Sequence, residues 1–244
     1  MRKLLLLVLL GISIPRSQAQ TIVDTFPGNT LNESYWTIGP VSSGDWFEVD
    51  NGLTLENRAH LTTKDGVFGS PLTIAGTVTF NSIEDYLTIA LRFDGAYENV
   101  PYYESSSGVR VLFGPVLRNA AGNKNYVEIY DADAPASISK VDLDSFTFST
   151  GVAYEFTVTD DGSTISLFLG NELLISGATA SNSGGFVGLY SREHSGDPFP
   201  GLLLSSISIS SGNTAIPEPS TWAVLVGSLT LGMAMIRRRV RSRA

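Results

Sequence analysis

Along residues 72–80 every second position but one is apolar: Leu72, Ile74, Val78 and Phe80 fall on one side, with Gly76 between them. The same period recurs in Leu87, Ile89, Leu91 and Phe93, opposed by Thr88, Ala90 and Arg92. It returns in Val109, Val111 and Phe113, in Tyr154, Phe156 and Val158, in Ile165, Leu167 and Leu169, and in Ile207 and Ile209 among serines. A period of two sends alternate side chains to opposite faces of a strand, whereas a surface helix repeats every three to four residues. Strands with one apolar and one polar face belong to antiparallel sheets. Turn residues separate the runs. Asp160-Asp161-Gly162 divides two of them, and Asn51-Gly52 divides 47–49 from 53–55; each is a hairpin signal. Gly170-Asn171 predicts another turn before a strand over 172–175. Residues 95–108, with Tyr97, Tyr102 and Tyr103, and residues 114–125 read as longer loops. The expectation is an all-β, antiparallel β-sandwich over 20–210.

Both ends follow a different logic. Arg2 and Lys3 precede an apolar run over 4–14, and Ser17-Gln18-Ala19 places small residues where a leader is cut, so 1–19 reads as a signal peptide. The run would make about 16 Å of helix, too short to span a bilayer. Residues 211–220 read as a linker containing Pro217, Glu218 and Pro219. An apolar segment over 221–236 follows, read as one C-terminal transmembrane helix. It ends in Arg237, Arg238 and Arg239, which would stop it and hold 237–244 as a basic cytoplasmic tail. Trp222 suits the membrane interface, and snorkelling arginines compensate for the short span.

The ordered triplet Pro217-Glu218-Pro219, apolar helix and arginine cluster resembles the PEP-CTERM sorting signal of Gram-negative bacteria. That resemblance implies an exosortase-type processing enzyme as partner and an inner membrane in which the chain is held transiently or retained, with a plain transmembrane anchor as the alternative. It also implies delivery to the cell surface or an extracellular polysaccharide matrix. The body resembles the concanavalin A-like (laminin G-like) jelly roll. The resemblance rests on Asp24-Thr25-Phe26 with Leu31 and Tyr35-Trp36, on Asn51-Gly52-Leu53-Thr54-Leu55 and on the block from Tyr154 through Asp161-Gly162 to Asn171. It rests also on Gly185-Phe186-Val187-Gly188-Leu189-Tyr190 and the closing stretch 203–209. The fold hosts sugar-binding modules and polysaccharide hydrolases alike, so it does not choose between them.

Charge narrows the partners. Between residues 20 and 214, eight lysines and arginines face 23 aspartates and glutamates. Such a surface repels phosphates, which argues against a nucleic-acid partner. The chain has no cysteine, so thiolate nucleophiles and thiolate metal sites are excluded. Hydrolases of the resembled fold carry their catalytic carboxylates on one strand in a Glu-x-Asp-x-x-Glu pattern. Nothing here matches it, and no catalytic residue is assigned. His60 and His194 lie far apart in the sequence and read as ordinary polar residues.

Calcium takes oxygen ligands, and laminin G-like domains often hold one ion on a rim loop. Asp131, Asp133, Asp142 and Asp144 are the candidate ligands, with plain surface solvation as the alternative. For sugar contact the candidates are Tyr126, Tyr130, Tyr102 and Tyr103. Alternation puts Tyr126, Glu128 and Tyr130 opposite the aliphatic Val127 and Ile129, and ordinary strand packing is the alternative. Trp36 and Trp46 are expected in the core. Three functions stay open: a surface or matrix protein that binds polysaccharide or a matrix partner, a polysaccharide hydrolase or lyase, and a purely structural surface protein.

Overall fold

The computed structural model describes residues 20–39, 46–56, 59–83, 85–96, 106–115, 125–144, 146–179, 184–192 and 201–212. These hold β1 (Thr21–Asp24), β2 (Trp36–Ile38), β3 (Trp46–Val49), β4 (Leu53–Glu56), β5 (His60–Thr63), β6 (Leu72–Phe80), β7 (Tyr86–Phe93) and β8 (Val109–Phe113). They continue with β9 (Tyr126–Asp131), β10 (Ala136–Asp142), β11 (Ala153–Asp160), β12 (Thr164–Leu169), β13 (Glu172–Ala178), β14 (Phe186–Arg192) and β15 (Leu202–Ser211). Every pairing is antiparallel. An eight-stranded sheet runs β13-β12-β11-β6-β15-β4-β3, with β1 also paired to β15. A seven-stranded sheet runs β10-β9-β8-β7-β14-β5-β2. The architecture is therefore the all-β two-sheet sandwich that alternation predicts.

The inward faces are the apolar positions of that alternation. Ile74, Val78, Phe80, Phe156, Val158 and Leu167 from the larger sheet pack in one cluster with Leu87, Ile89, Val111, Ile129, Val187 and Leu189 from the smaller. Phe80, Phe113, Phe148 and Phe156 fill its centre. Phe80 meets Phe113 edge-on with ring centroids 6.2 Å apart, and Phe113 lies 5.4 Å from Phe156. Gly76 faces this cluster. A Cβ there would stand 2.6 Å from the Ser206 carbonyl oxygen and 2.9 Å from the Phe156 ring, so the bare backbone leaves room for the aromatic.

The turns are held as their residues dictate. In the β11–β12 hairpin Asp161 accepts from the Ser163 and Thr164 amides at 2.8 and 2.7 Å, and these bonds hold its carboxyl below the ordinary carboxylate pKa. Asn51, at φ 51, turns β3 into β4. Trp36 is buried, as expected, and its indole N–H donates to Asp24 at 2.9 Å, while the second Asp24 oxygen accepts from the Phe26 amide at 2.7 Å. Trp36→Phe should leave that buried carboxylate short of a partner and cost about 1–3 kcal/mol in chemical denaturation. The side chain of Trp46 lies outside the description.

The alternation misplaces one strand end. Phe93 does not share the core face with Leu87, Ile89 and Leu91; it clusters with Ala90, Tyr190 and Phe186 on the other side. Phe186 pairs with Phe93 but Gly188 pairs with Ala90, so β7 carries one extra residue there. Arg92 sits at φ 54 in this bulge. One inserted residue exchanges the faces beyond it. Arg92 thus turns inward and reaches across the sandwich to Asp160 at the end of β11.

Among the described residues no helix is long and apolar enough to cross a membrane. The segments read as signal peptide (1–19) and transmembrane helix (221–236) lie outside them, with Pro217, Glu218, Pro219, Arg237, Arg238 and Arg239.

Candidate functional site

The outward face of the seven-stranded sheet carries polar side chains that are buried. Pairing aligns them in rows across five strands. One row runs Tyr130, Arg110, Ala90, Gly188 and Thr62 on β9, β8, β7, β14 and β5. The next runs Glu128, Leu112, Thr88, Tyr190 and His60 on the same strands. Between Arg110 and Thr62, about 14 Å apart at the usual strand spacing, the row holds only a methyl group and a glycine, both buried. Arg110 and Tyr130 stand at one end of these small residues, Thr62 and His60 at the other, and Thr88 and Tyr190 lie alongside them.

Burial sets this face apart from an ordinary solvated sheet surface. Thr88 is 0%, His60 1% and Arg110 7% exposed, although none belongs to the core between the sheets. Tyr86 and Leu112 form a separate small cluster against which Tyr126 and Tyr130 pack, and Ala90, Phe93 and Tyr190 form another with Phe186. The Arg110 guanidinium stands over the Tyr130 ring at 4.4 Å, and the Lys140 ammonium over Tyr126 at 3.6 Å. His60 and Tyr190 rings lie 5.0 Å apart. The buried Thr88 hydroxyl has no hydrogen-bond partner among the described residues. A buried hydroxyl left unmatched is costly, and such a group often marks a place where a ligand completes the bonding. Fork donors, hydroxyls and aromatic rings around an apolar floor are the ingredients of a site for a neutral, hydroxylated small molecule.

The structure brings Tyr126 and Tyr130 to this face, half-buried and each with a cation on one ring face. Tyr102 and Tyr103 lie outside the described residues, as do Tyr97 and His194. His60, Thr62, Thr88, Arg110 and Tyr190 are the additions sequence reading did not select. For Thr88 and Arg110 the signal was available: both occupy the polar side of an alternating strand.

The four aspartates do not form one calcium site. Asp131 pairs with Ala136 at the turn end of the β9–β10 hairpin, whereas Asp142 pairs with Tyr126 at the open end. Five residues of strand separate the two pairs, about 17 Å. Asp131 instead accepts from the amides of Asp133 and Ala134 at 3.0 and 3.2 Å, closing the turn. Among the described residues no group of three acids or histidines is placed to hold a metal ion. Among the described residues, then, the four aspartates do not converge on one ion.

No family model matches the chain, and no curated protein matches its sequence. Solved structures do match its fold. The carbohydrate recognition domain of Emp47p superposes with a TM-score of 0.58 at 13% identity, covering 81% of this chain and 98% of that one. The exoplasmic/lumenal domain of VIP36, bound to Ca2+ and Man2, gives 0.57 at 9% identity, covering 82% and 91%. A Bacillus subtilis protein of unknown function with a galectin-like fold gives 0.55 at 9%, covering 72% and 90%. The chain thus has the galectin-like, concanavalin A-like β-sandwich fold. At these identities the likeness extends to the fold alone.

Proposed function

We propose that this protein is exported to the cell surface or extracellular matrix and that its β-sandwich binds carbohydrate on the outward face of the seven-stranded sheet. The observation that carries the reading is the buried, unmatched Thr88 hydroxyl beside Arg110, His60 and Tyr190 around a floor of Ala90 and Gly188. The fold supports it, since Emp47p and VIP36 are a carbohydrate recognition domain and a Man2-bound protein on the same architecture. In this reading the rings of Tyr126 and Tyr130 flank the sugar, with one face of each backed by a cation. The leader, the Pro217-Glu218-Pro219 triplet and the arginine stop support export followed by exosortase-type processing at the inner membrane.

Two measurements test the two halves. For binding, Thr88→Val removes the hydroxyl and keeps the shape. We expect it to raise stability by about 1 kcal/mol in denaturant, because an unmatched buried polar group disappears. It should at the same time weaken retention on the recognised glycan about tenfold, the loss of one good hydrogen bond. Arg110→Ala should weaken it at least as much. A Thr88→Val protein that gains stability and keeps full glycan affinity would remove the site. For export, the intact mass of protein recovered from the cell surface should lack residues 1–19 and end near Pro219. Full-length chain in the cytosol would refute that half.

A further inference from the structure

The opposite face of the sandwich carries a second, chemically different surface. On the outward side of the eight-stranded sheet, pairing aligns Ser176, Ser166, Thr159, Thr73, Ser210 and Thr21 across six neighbouring strands. Six strands at the usual spacing make a line of hydroxyls about 24 Å long. The adjacent row on the same strands reads Leu173, Phe168, Thr157, Ala75, Ser208 and Val23. It is apolar at both ends, with Leu173 53% and Val23 61% exposed. A third row adds Glu155, Thr77 and Ser206. The face is not flat. A groove of about 310 Å³ crosses β1, β15, β6 and β11, floored by Ala75 and bordered by Val23, Thr77, Glu155, Thr157 and Ser208.

The charge pattern is the informative part. The body of the protein has almost three acids for every base, yet these three rows hold a single charged side chain, Glu155. Solvated sheet faces ordinarily carry long charged residues, which also discourage sheet-to-sheet association. Three rows with no cation offer nothing to an anionic polymer, and their one carboxylate repels it. What it offers is an apolar strip edged by hydroxyl lines. A pyranose has the matching anatomy, with apolar C–H faces and a rim of hydroxyls, and a groove of this size lies at the small end of ligand sites.

We propose that this groove is a second carbohydrate site, for a segment of neutral polysaccharide, and that the sandwich thereby joins polysaccharide strands on its two faces. Val23 contacts a C–H face within the groove, Phe168 extends the apolar strip beside Thr157 one strand beyond it, and Thr77, Thr157 and Ser208 exchange hydrogen bonds with the ring hydroxyls. The groove site stands without the site on the seven-stranded sheet, whereas the joining of two strands rests on both.

The test uses the full-length protein in mild detergent and a neutral panel of galactomannan, mixed-linkage β-glucan and dextran. Affinity electrophoresis reads binding, and light scattering reads the clustering of chains that two sites per molecule produce. Phe168→Ala and Thr157→Lys replace half-buried residues of this face, and unchanged melting curves verify the fold; if Phe168→Ala melts early, Thr157→Lys carries the test. If Thr157→Lys melts early, Phe168→Ala carries the test. We expect Arg110→Ala to retain gel retardation but abolish clustering, and Phe168→Ala to do the same with retardation weakened about tenfold. The double variant should lose both. Complete loss of retardation in Arg110→Ala alone would overturn the second site while leaving the first intact. Retardation unchanged by Arg110→Ala but abolished by Phe168→Ala would keep the second and remove the first. Retention by no polysaccharide on the panel would overturn it outright.

Discussion

Asp160→Asn is expected to destabilise the sandwich by about 3–5 kcal/mol, the cost of breaking a buried ion pair by removing one partner. In a domain of this size that lowers Tm by on the order of 10 °C. Arg92 is 5% exposed and the Asp160 side chain 1%. The guanidinium grips both carboxylate oxygens, with Nε at 2.7 Å from Oδ2 and the terminal nitrogen against Oδ1. Ser70 donates to the same carboxylate at 2.8 Å and the Gly162 amide at 2.8 Å. Four donors thus converge on one buried anion, which ties β7 of one sheet to the β11–β12 hairpin of the other. The substitution leaves the Arg92 guanidinium buried without the Asp160 charge. Arg92→Met with Asp160→Leu should recover much of the loss, because two apolar residues carry no desolvation penalty. Denaturant midpoints of the three proteins check this.

The same pair gives a pH signature. Burial alone would raise the Asp160 pKa, but the bonds from Arg92, Gly162 and Ser70 outweigh it and hold the carboxyl below its ordinary value. A carboxylate with a lowered folded-state pKa stabilises the fold in full above its unfolded value, about 3.9. That stabilisation fades as pH falls through the lower, folded value. The stability difference between wild type and Asp160→Asn should therefore be constant from pH 5 to 8 and shrink below about pH 4. A difference that stays flat into acid would mean that Arg92 and Asp160 are not paired in solution.

Most of the framework was legible because most strands are half-buried and long enough for the period of two to show. β6, β11 and β12 alternate over six to nine residues, and their turns carry Asp, Asn and Gly at the expected places. β5 was not legible. His60–Thr63 is four residues long, all buried, so alternation has no polar side to reveal. β10 escaped for the opposite reason: its residues are exposed or half-buried and its sequence is polar. Sequence spacing consequently groups Asp142 with Asp131, whereas the hairpin holds them at opposite ends. The site shows the same division. Tyr126, Thr88 and Arg110 can each be assigned to an outward face from their own strand. Their meeting with His60 and Tyr190 depends on register between strands far apart in the chain, which no local period encodes. Arg92 is the clearest failure of the period. Its neighbours place it outward with Thr88, and a single bulged residue sends it inward to Asp160.

That bulge depends on a residue from the next strand, and Gly108→Ala should expose the dependence. Gly108 lies at φ 75 immediately before β8, in the left-handed region where a side chain is strained. A Cβ there would overlap the Leu91 carbonyl oxygen and come within 2.7 Å of the Arg92 carbonyl carbon. Both neighbours are backbone, so no flexible side chain can yield. Left-handed strain and overpacking together should cost about 2–4 kcal/mol. The relief available is to shift the Leu91–Arg92 peptide, which would carry the guanidinium away from Asp160. Gly108→Ala and Asp160→Asn should therefore be subadditive: once the ion pair is gone, displacing Arg92 removes less. Gly108→Ala should also flatten the acid dependence that Asp160 gives the wild type. Strict additivity of the two substitutions, with the acid dependence intact in Gly108→Ala, would show that the glycine and the ion pair act separately, and that something other than the approach of β8 fixes Arg92 in its inward conformation.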